Sequence, residues 1–220
     1  MGIKDLRLAG DCEKDPRKIS VTAPNLEDAV DNLPRFETAQ EALKDGSFVV
    51  GFTARKRRGR RASLNLNGLE LALKEQLSKV NGKILLVFGR EDFGLPNDVL
   101  DLCHAYVTID TDPQHHSINL AQAVLLGAFT VRGLSKKLSA SPLHQPPYNN
   151  SILSGDLERL VEDADKALQA IDFFKFDGAQ KNVLRMLRDI FRRSDLDKRE
   201  LSMLRGLFSE VCSSQFKKEN

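Results

Sequence analysis

A run of five apolar residues, Ile84–Phe88 (ILLVF), constrains the fold of this chain more than any other part of its sequence. A strand with one face in water alternates apolar and polar residues, whereas a strand of a parallel sheet is buried on both faces and apolar throughout. Two further β-rich runs, Ser47–Phe52 and Ala105–Ile109, lie on either side of it, and short apolar strands alternate with helical stretches over the first 133 residues. This alternation predicts an α/β fold with a parallel sheet.

Other local signals complete the predicted elements of residues 1–133. In Thr38–Glu41 a threonine is followed three residues later by a glutamate, the capping-box pattern that opens a helix. The remaining predictions are a strand at Ile3–Leu8, closure of the capped helix by Gly46, a short helix from Pro96–Asn97, and a long helix at Ser117–Arg132, with Ser117 as a candidate N-cap, that Gly133 ends.

The character of the sequence changes after residue 133. Residues 134–150 contain Pro142, Pro146 and Pro147 and little periodicity, which indicates a linker. In residues 151–220 apolar residues recur at helical spacing. They are Leu157, Leu160, Val161, Ala164, Leu168 and Ile171, then Val183, Leu184, Leu187, Ile190 and Phe191. We therefore expect an α/β domain at 1–133, a linker at 134–150 and a small all-α domain at 151–220.

Basic residues are concentrated at two places, although the formal net charge is only +2. The first, here the basic cluster, comprises Arg55, Lys56, Arg57, Arg58, Arg60 and Arg61. The second, the basic stripe, comprises Lys181, Arg185, Arg188 and Arg192, whose helical spacing predicts one stripe that lies away from the apolar, packed face. Such groups are either solvated surface or contacts to a polyanion, and the sequence leaves both open. Because the two occur together, both are candidate RNA-binding sites.

The sequence indicates neither a metal-binding site nor a membrane-spanning helix. Cys12, Cys103 and Cys212 are far apart, and with the four histidines they form no metal-ligand spacing, so we expect a reducing, cytoplasmic setting and no bound metal. No apolar stretch approaches the roughly 18 residues that a membrane-spanning helix needs.

Three loops follow the predicted strands: Gly51–Arg55, Phe88–Leu95 and Ile109–Leu120. Ligands of parallel sheets bind beyond the carboxyl ends of the strands, so these loops form the expected site. Neither a G-x-G-x-x-G pattern nor a phosphate-binding lysine loop is present, which disfavours a nucleotide-binding oxidoreductase on a doubly wound fold.

In order and spacing, the three loops resemble those of the SPOUT superfamily of methyltransferases, specifically the TrmJ-type tRNA 2′-O-methyltransferases of its SpoU branch. Leu85–Leu95 (LLVFGREDFGL) resembles the second family motif and His115–Val124 (HHSINLAQAV) the third. Val49–Arg57 (VVGFTARKR) matches the preceding strand and loop. The segments NVLRMLRDIFRRS and RELSMLRGLF resemble the helical tail of the TrmJ branch.

The resemblance implies a sheet whose C-terminal part forms a deep trefoil knot, a fold feature that no pattern argument would predict. It implies a homodimer that binds S-adenosyl-L-methionine and methylates the 2′-hydroxyl of the pyrimidine at position 32 of tRNA. By residue match, the cofactor contacts are Phe52, Thr53, Ala54, Gly89, Ile109, His116, Ser117 and Ile118. The candidate catalytic residues are Ser117, Glu91 and Asn119, the last in a structural role.

The chemistry of these residues suits the implied reaction. A serine hydroxyl such as that of Ser117 can donate a hydrogen bond to the target oxygen or to a neighbouring phosphate, although it is a weak base. His115 and His116 stand where relatives carry an aromatic or a small hydroxyl residue. Histidine could accept a proton, stack on a base or hydrogen-bond the loop, and these alternatives stay open.

Relatives open with a strand, a helix and a first motif, Asn-x-Gly-x-x-x-Arg, ahead of the segment that MGIKDLRLAG resembles. The resemblance therefore predicts a chain that starts downstream of this motif. It also predicts that a form extended by about 25–35 residues, one strand plus one helix, is active, and that the 220-residue form is poorly soluble or inactive. The alternative is a non-catalytic RNA-binding relative.

Overall fold

The structure, a computed structural model, describes residues 2–3, 5–10, 32–54, 63–79, 82–112, 118–139, 152–176 and 178–216. Within these ranges the strands are β1 Leu8–Ala9, β2 Arg35–Phe36, β3 Gly46–Phe52, β4 Ser63–Leu64, β5 Lys83–Val87 and β6 Ala105–Val107. The helices are α1 Ala39–Leu43, α2 Leu66–Lys79, α3 Asn97–Asp101, α4 Leu120–Ser139, α5 Ser154–Ala170, α6 Ala179–Arg193 and α7 Lys198–Phe216.

Four strands form one sheet in the order β4-β6-β3-β5, and every pairing in it is parallel. The short strands β1 and β2 pair separately, also in parallel. The predicted parallel α/β sheet is confirmed.

Helices cover both faces of the sheet. Val50 of β3 belongs to an apolar cluster with Leu73 of α2 and Leu134 of α4. Its neighbour Val49 points to the other face and belongs to a cluster with Leu100 of α3. Both valines are fully buried, as expected of a strand between two helical layers.

The predicted all-α part is confirmed by α5, α6 and α7, which have an apolar cluster of their own. Leu157 and Leu160 of α5 form it with Phe191 of α6 and Leu201 of α7. Ile190, predicted on the apolar face of α6, is 43% exposed instead. In the described part of the chain, no helix is both long and apolar enough to span a membrane.

Two predictions near the N-terminus need correction. The strand predicted at Ile3–Leu8 is reduced to β1, and the residues before it are held by side chains: Arg7 forms ion pairs with Asp5 and Asp45. Thr38 caps α1 as expected, since its Oγ1 accepts a hydrogen bond from the Glu41 amide. Gly46, however, does not close α1. It is already the first residue of β3, paired with Lys83.

The long helix α4 differs from its prediction at both ends. It begins at Leu120 rather than Ser117, because the Asn119 side chain caps it by accepting a 2.8 Å hydrogen bond from the Ala121 amide. It also continues through Gly133 to Ser139. Burial of Leu134 against the sheet offsets the cost of a helical glycine, about 1 kcal/mol.

Helix α2 was absent from the predictions. Its signals were an asparagine cap, since Asn65 Oδ1 accepts from the Gly68 amide at 2.8 Å, and leucines at four-residue spacing. Leu69, Leu73 and Leu77 pack against the sheet.

Candidate functional site

A cavity of about 280 Å³ opens at the carboxyl ends of β3, β5 and β6, where the three loops were expected to form a site. All predicted cofactor contacts that the structure describes line it: Phe52, Thr53, Ala54, Gly89, Ile109 and Ile118. Glu91 also lines it. His116 and Ser117 lie outside the described residues, as does His115.

The cavity has further lining residues beyond the predicted cofactor and catalytic residues, and all of them except Val107 and Ala123 belong to the predicted loops Phe88–Leu95 and Ile109–Leu120. They are Phe88, Arg90, Asp92, Phe93, Gly94, Leu95, Val107, Thr111, Leu120 and Ala123. Phe88 ends the apolar run that predicted β5, and its position at the strand end was the available signal. Leu120 and Ala123 come from the first turn of α4, whose start was misplaced.

Two stacked aromatic rings form one wall. The rings of Phe52 and Phe88 lie 4.4 Å apart between centroids, at an angle of 26°. Gly127 of α4 lies against them, and a Cβ there would be 3.0 Å from the Cζ atom of each ring. The glycine thus allows α4 to pack closely behind an apolar wall of the kind that small-molecule sites use.

The loop after β5 folds back tightly over Gly89. Arg90 and Gly94 form an antiparallel bridge, and Gly94 has a φ of 67°, in the left-handed region that favours glycine. A Cβ on Gly89 would lie 2.1 Å from the Gly94 carbonyl carbon and 2.3 Å from the Leu95 nitrogen. Any side chain at position 89 therefore collides with backbone, and the loop must move.

Charges in this loop are partly paired. Arg90 binds both carboxylate oxygens of Asp92 at 3.1 Å. This guanidinium holds the pKa of the Asp92 carboxyl below its usual value. Arg90 therefore helps to shape the loop, while Glu91 is exposed beside it at the cavity.

Asn119 does not line the cavity. Its side chain caps α4 and so fixes the backbone directly after Ile118, which does line the cavity. This geometry supports the structural role expected for Asn119.

The basic residues occupy three different settings. The basic cluster, Arg55–Arg61, lies outside the described residues. In the basic stripe, Lys181 is exposed and Arg185 is 42% exposed. Arg188 and Arg192 are only 18% and 6% exposed, because both bind the carboxylate of Glu158 on α5. The expectation that the whole stripe lies away from the packed face is therefore wrong for these two.

Metal-ligating side chains do not come together in the described ranges. No group of three or more histidine, cysteine, aspartate or glutamate side chains there could hold an ion.

Comparison with known sequences identifies two matching families. The SpoU rRNA Methylase family matches residues 1–129, and the C-terminal domain of tRNA methyltransferase TrmJ matches residues 155–220. The tRNA (cytidine/uridine-2′-O-)-methyltransferase TrmJ of Citrobacter koseri is 32% identical over 215 residues, covering 96% of this chain and 86% of that enzyme. The enzyme of the same name from Klebsiella pneumoniae is 33% identical, with the same coverage.

Solved structures of TrmJ and of a probable methylase also match this chain. The crystal structure of TrmJ from Z. mobilis ZM4 superposes with a TM-score of 0.78 over 96% of this chain and 88% of that one, at 24% identity, which shows a shared fold. A probable methylase family protein from Haemophilus influenzae Rd KW20 is 27% identical, with a TM-score of 0.56 over 100% of this chain and 88% of that one.

Proposed function

Because this chain belongs to the SpoU rRNA Methylase family and carries the C-terminal domain of TrmJ, we propose that it methylates a ribose 2′-hydroxyl of tRNA, with S-adenosyl-L-methionine as the methyl donor. One observation supports this most strongly. The family motifs, distant in sequence, converge on one cavity at the carboxyl ends of the strands.

The residues at the cavity fit this cofactor. The volume of about 280 Å³ lies near the lower end of small-molecule sites, about 300–1,000 Å³. The stacked rings of Phe52 and Phe88 offer an apolar wall for a flat heterocycle, and Thr53, Thr111 and Glu91 offer polar groups for a sugar and a charged amino-acid end. The tight turn over Gly89 keeps side-chain atoms out of the space beside β5.

The chain's own groups would act by orientation and electrostatics. When bound, the cofactor would supply an electrophilic sulfonium methyl group, which transfers to an oxygen nucleophile with S-adenosylhomocysteine as the leaving group. The cavity walls would hold the reactants in line, which lowers the entropic part of the barrier. We assign to Ser117 a hydrogen bond to the target oxygen or to a neighbouring phosphate, and to Glu91 a place at the cavity beside the reacting groups.

The substrate follows from the relatives. Their name specifies cytidine and uridine in tRNA, so we propose a pyrimidine as the target. The family resemblance of the motifs implies position 32 of the anticodon loop, which we include in the proposal. The basic cluster comes directly after Ala54 of the cavity, which supports contacts between Arg55–Arg61 and tRNA phosphates. Lys181, the exposed lysine of the basic stripe, is proposed to contribute as well.

The proposal includes a homodimer, a trefoil knot around the cofactor, and a cytoplasmic setting. Support for the dimer comes from α4, which lines the cavity with Leu120 and Ala123 and exposes Val124, Leu125 and Phe129. An apolar row beside a site is typical of a subunit interface.

Two measurements test the function. Calorimetry should show S-adenosylhomocysteine binding to the 220-residue chain and no binding of nicotinamide dinucleotides. In cells, deletion of the gene should remove one pyrimidine 2′-O-methyl group from the anticodon loop of tRNA, as mapped by mass spectrometry. Absence of S-adenosylhomocysteine binding, or intact tRNA methylation in the deletion strain, would contradict the proposal.

A further inference from the structure

The sheet part and the helical part have separate apolar cores. In the described residues, the buried clusters of the sheet part draw on residues 39–134 and that of the helical part on residues 152–208, and none has members from both. Helix α5 also lies against α1 and β3, and polar contacts fix this junction: the Gly155 amide donates to the Lys44 carbonyl at 3.0 Å, and Gln40 bonds to Glu162. The orientation of the helical part therefore depends on directional contacts.

Three arginines of α6 provide further directional contacts, here called the arginine joint. Arg188 binds the carboxylate of Glu158 through Nε and Nη2, at 2.9 and 2.7 Å. Arg192 bonds to the same carboxylate at 3.2 Å and also donates to the carbonyls of Asp101 and Cys103. Arg185 forms an ion pair with the Asp101 carboxylate at 3.1 Å.

The residues that the arginine joint contacts, Asp101 and Cys103, are linked to the cavity wall through β6 and through packing on β3. Asp101 ends α3, residues 102–104 connect it to β6, and Val107 of β6 lines the cavity. Cys103 packs against Gly51, since a Cβ on Gly51 would be 2.8 Å from its Sγ. The next residue, Phe52, belongs to the wall. The joint thus fixes α6 to the segment that also shapes the cavity.

Buried ion pairs add little net stability, because the desolvation of the charges offsets their attraction. Their bidentate geometry does fix an orientation. Resting on the proposed function, we propose that the arginine joint positions the helical part for tRNA, so that a tRNA held on α6 reaches the cavity with its target ribose. Arg188 and Arg192 are then positioning residues rather than phosphate contacts.

A competing explanation is that Arg185 binds a tRNA phosphate directly and pairs with Asp101 only when RNA is absent. Substituting the acid separates the two. In Asp101→Asn, Arg185 keeps its charge but loses its partner. If Arg185 bound phosphate directly, this change would leave tRNA affinity unchanged or improve it. If the joint sets the orientation of α6, tRNA affinity falls.

The helical part contains a matched control. Arg205 and Asp163 form an ion pair within that part at 2.6 Å, with side-chain exposures of 44% and 26%. Those of Arg185 and Asp101 are 42% and 18%. Asp163→Asn therefore removes a similar pair without touching the junction.

The test measures dissociation constants for tRNA and S-adenosylhomocysteine with the full 220-residue chain, together with melting temperatures. We expect Asp101→Asn to weaken tRNA binding about tenfold, as for loss of one charge-assisted hydrogen bond. S-adenosylhomocysteine affinity should not change, and Asp163→Asn should affect neither ligand. Glu158→Gln, which alters the joint at an acid that cannot contact phosphate, should weaken tRNA binding likewise.

Equal tRNA affinity of Asp101→Asn and Asp163→Asn, or tighter binding by Asp101→Asn, would overturn this inference and leave the proposed function intact. Failure of the unaltered chain to bind either tRNA or S-adenosylhomocysteine would overturn both.

Discussion

Position 89 has no space for a side chain, because a Cβ on Gly89 would collide with the backbone of Gly94 and Leu95. Replacing it with alanine places a methyl group 2.1 Å from the Gly94 carbonyl carbon, so the loop that carries Glu91 has to move. We expect Gly89→Ala to weaken S-adenosylhomocysteine binding at least about tenfold, a cost of about 1.4 kcal/mol. Calorimetry measures this directly.

Gly133→Ala is the matched control for that substitution. Among the described residues, no atom outside the local helix backbone lies within 4 Å of a Cβ at Gly133, and the residue sits within α4, where alanine is the better helix former. This variant should bind as the unaltered chain does and melt slightly higher. Unchanged affinity in Gly89→Ala would contradict the site assignment.

His104 lies directly before β6 and makes two hydrogen bonds to Val49 of β3. Its amide donates to the Val49 carbonyl at 2.7 Å, and its Nδ1 accepts from the Val49 amide at 3.0 Å. Since Val49 is fully buried, a variant that lacks the Nδ1 acceptor leaves the Val49 amide without this hydrogen bond, which lowers the free energy of unfolding by about 1–3 kcal/mol.

Two substitutions of His104 by side chains of similar size measure the contribution of the hydrogen bond to Nδ1. Asparagine can place its Oδ1 where Nδ1 lies, whereas leucine cannot accept a hydrogen bond. Urea unfolding should therefore show His104→Leu to be less stable than His104→Asn by about 1 kcal/mol or more. Equal unfolding free energies would show that the contact contributes nothing.

At the scale of elements, the basic cluster is expected to make the main electrostatic contact to tRNA. Replacing two of its arginines, Arg57 and Arg58, with glutamine should weaken binding of all substrate tRNAs equally. The slope of log Kd against log salt concentration should fall by about one unit per lost contact. Lys74→Gln, at an exposed lysine of α2, is the control. Salt-insensitive binding would mean that the cluster is only solvated surface.

Helix α4 presents its apolar residues on two sides. One side packs on the sheet through Leu134, while Leu125 and Phe129, one turn apart, are 54% and 65% exposed. We expect Leu125→Asp with Phe129→Asp to convert a homodimer into monomers, because burying two carboxylates at an interface is unfavourable. Light scattering after size exclusion measures this. Leu71, 70% exposed on α2, supplies the control Leu71→Asp, and an unaltered dimer in the double variant would place the interface elsewhere.

At the scale of the whole molecule, an ion-pair network ties the N-terminal residues to the sheet. The hydrogen bond from Arg7 holds the pKa of Asp45 well below its ordinary value of 3.8, with a further contribution from Lys83. A folded-state pKa that is depressed stabilises the fold above the unfolded value, and this stabilisation is lost as the pH falls through the folded value. It should therefore be complete at pH 7 and decline below about pH 4.

Asp45→Asn tests this linkage. The variant should melt below the unaltered chain at pH 7, and the two melting temperatures should converge as the pH falls below about 4. Because Asp45 is 38% exposed, added salt should also narrow the difference at pH 7. A difference that stays constant down to pH 2 would contradict the assignment.

The sequence by itself determined the parallel sheet and the edge at which the cavity opens. The unbroken apolar run Ile84–Phe88 predicted a strand of a parallel sheet, and β5 is such a strand, although it lies at the sheet edge and is only half-buried. Loops at the ends of parallel strands then meet at one edge, so Thr53, Gly89 and Ile109 lie together although they are far apart in sequence. These properties follow from periodicity and chain order, which are local.

Only the tertiary structure decided where charges and close contacts fall. The spacing of Arg185, Arg188 and Arg192 predicted one stripe on α6, but Arg188 and Arg192 are buried because Glu158 lies on the neighbouring helix. Likewise Gly133 does not end α4, because burial of Leu134 on the sheet outweighs glycine's helix propensity. Partners such as these are brought together by packing, and a pattern along one element carries no information about what packs against it.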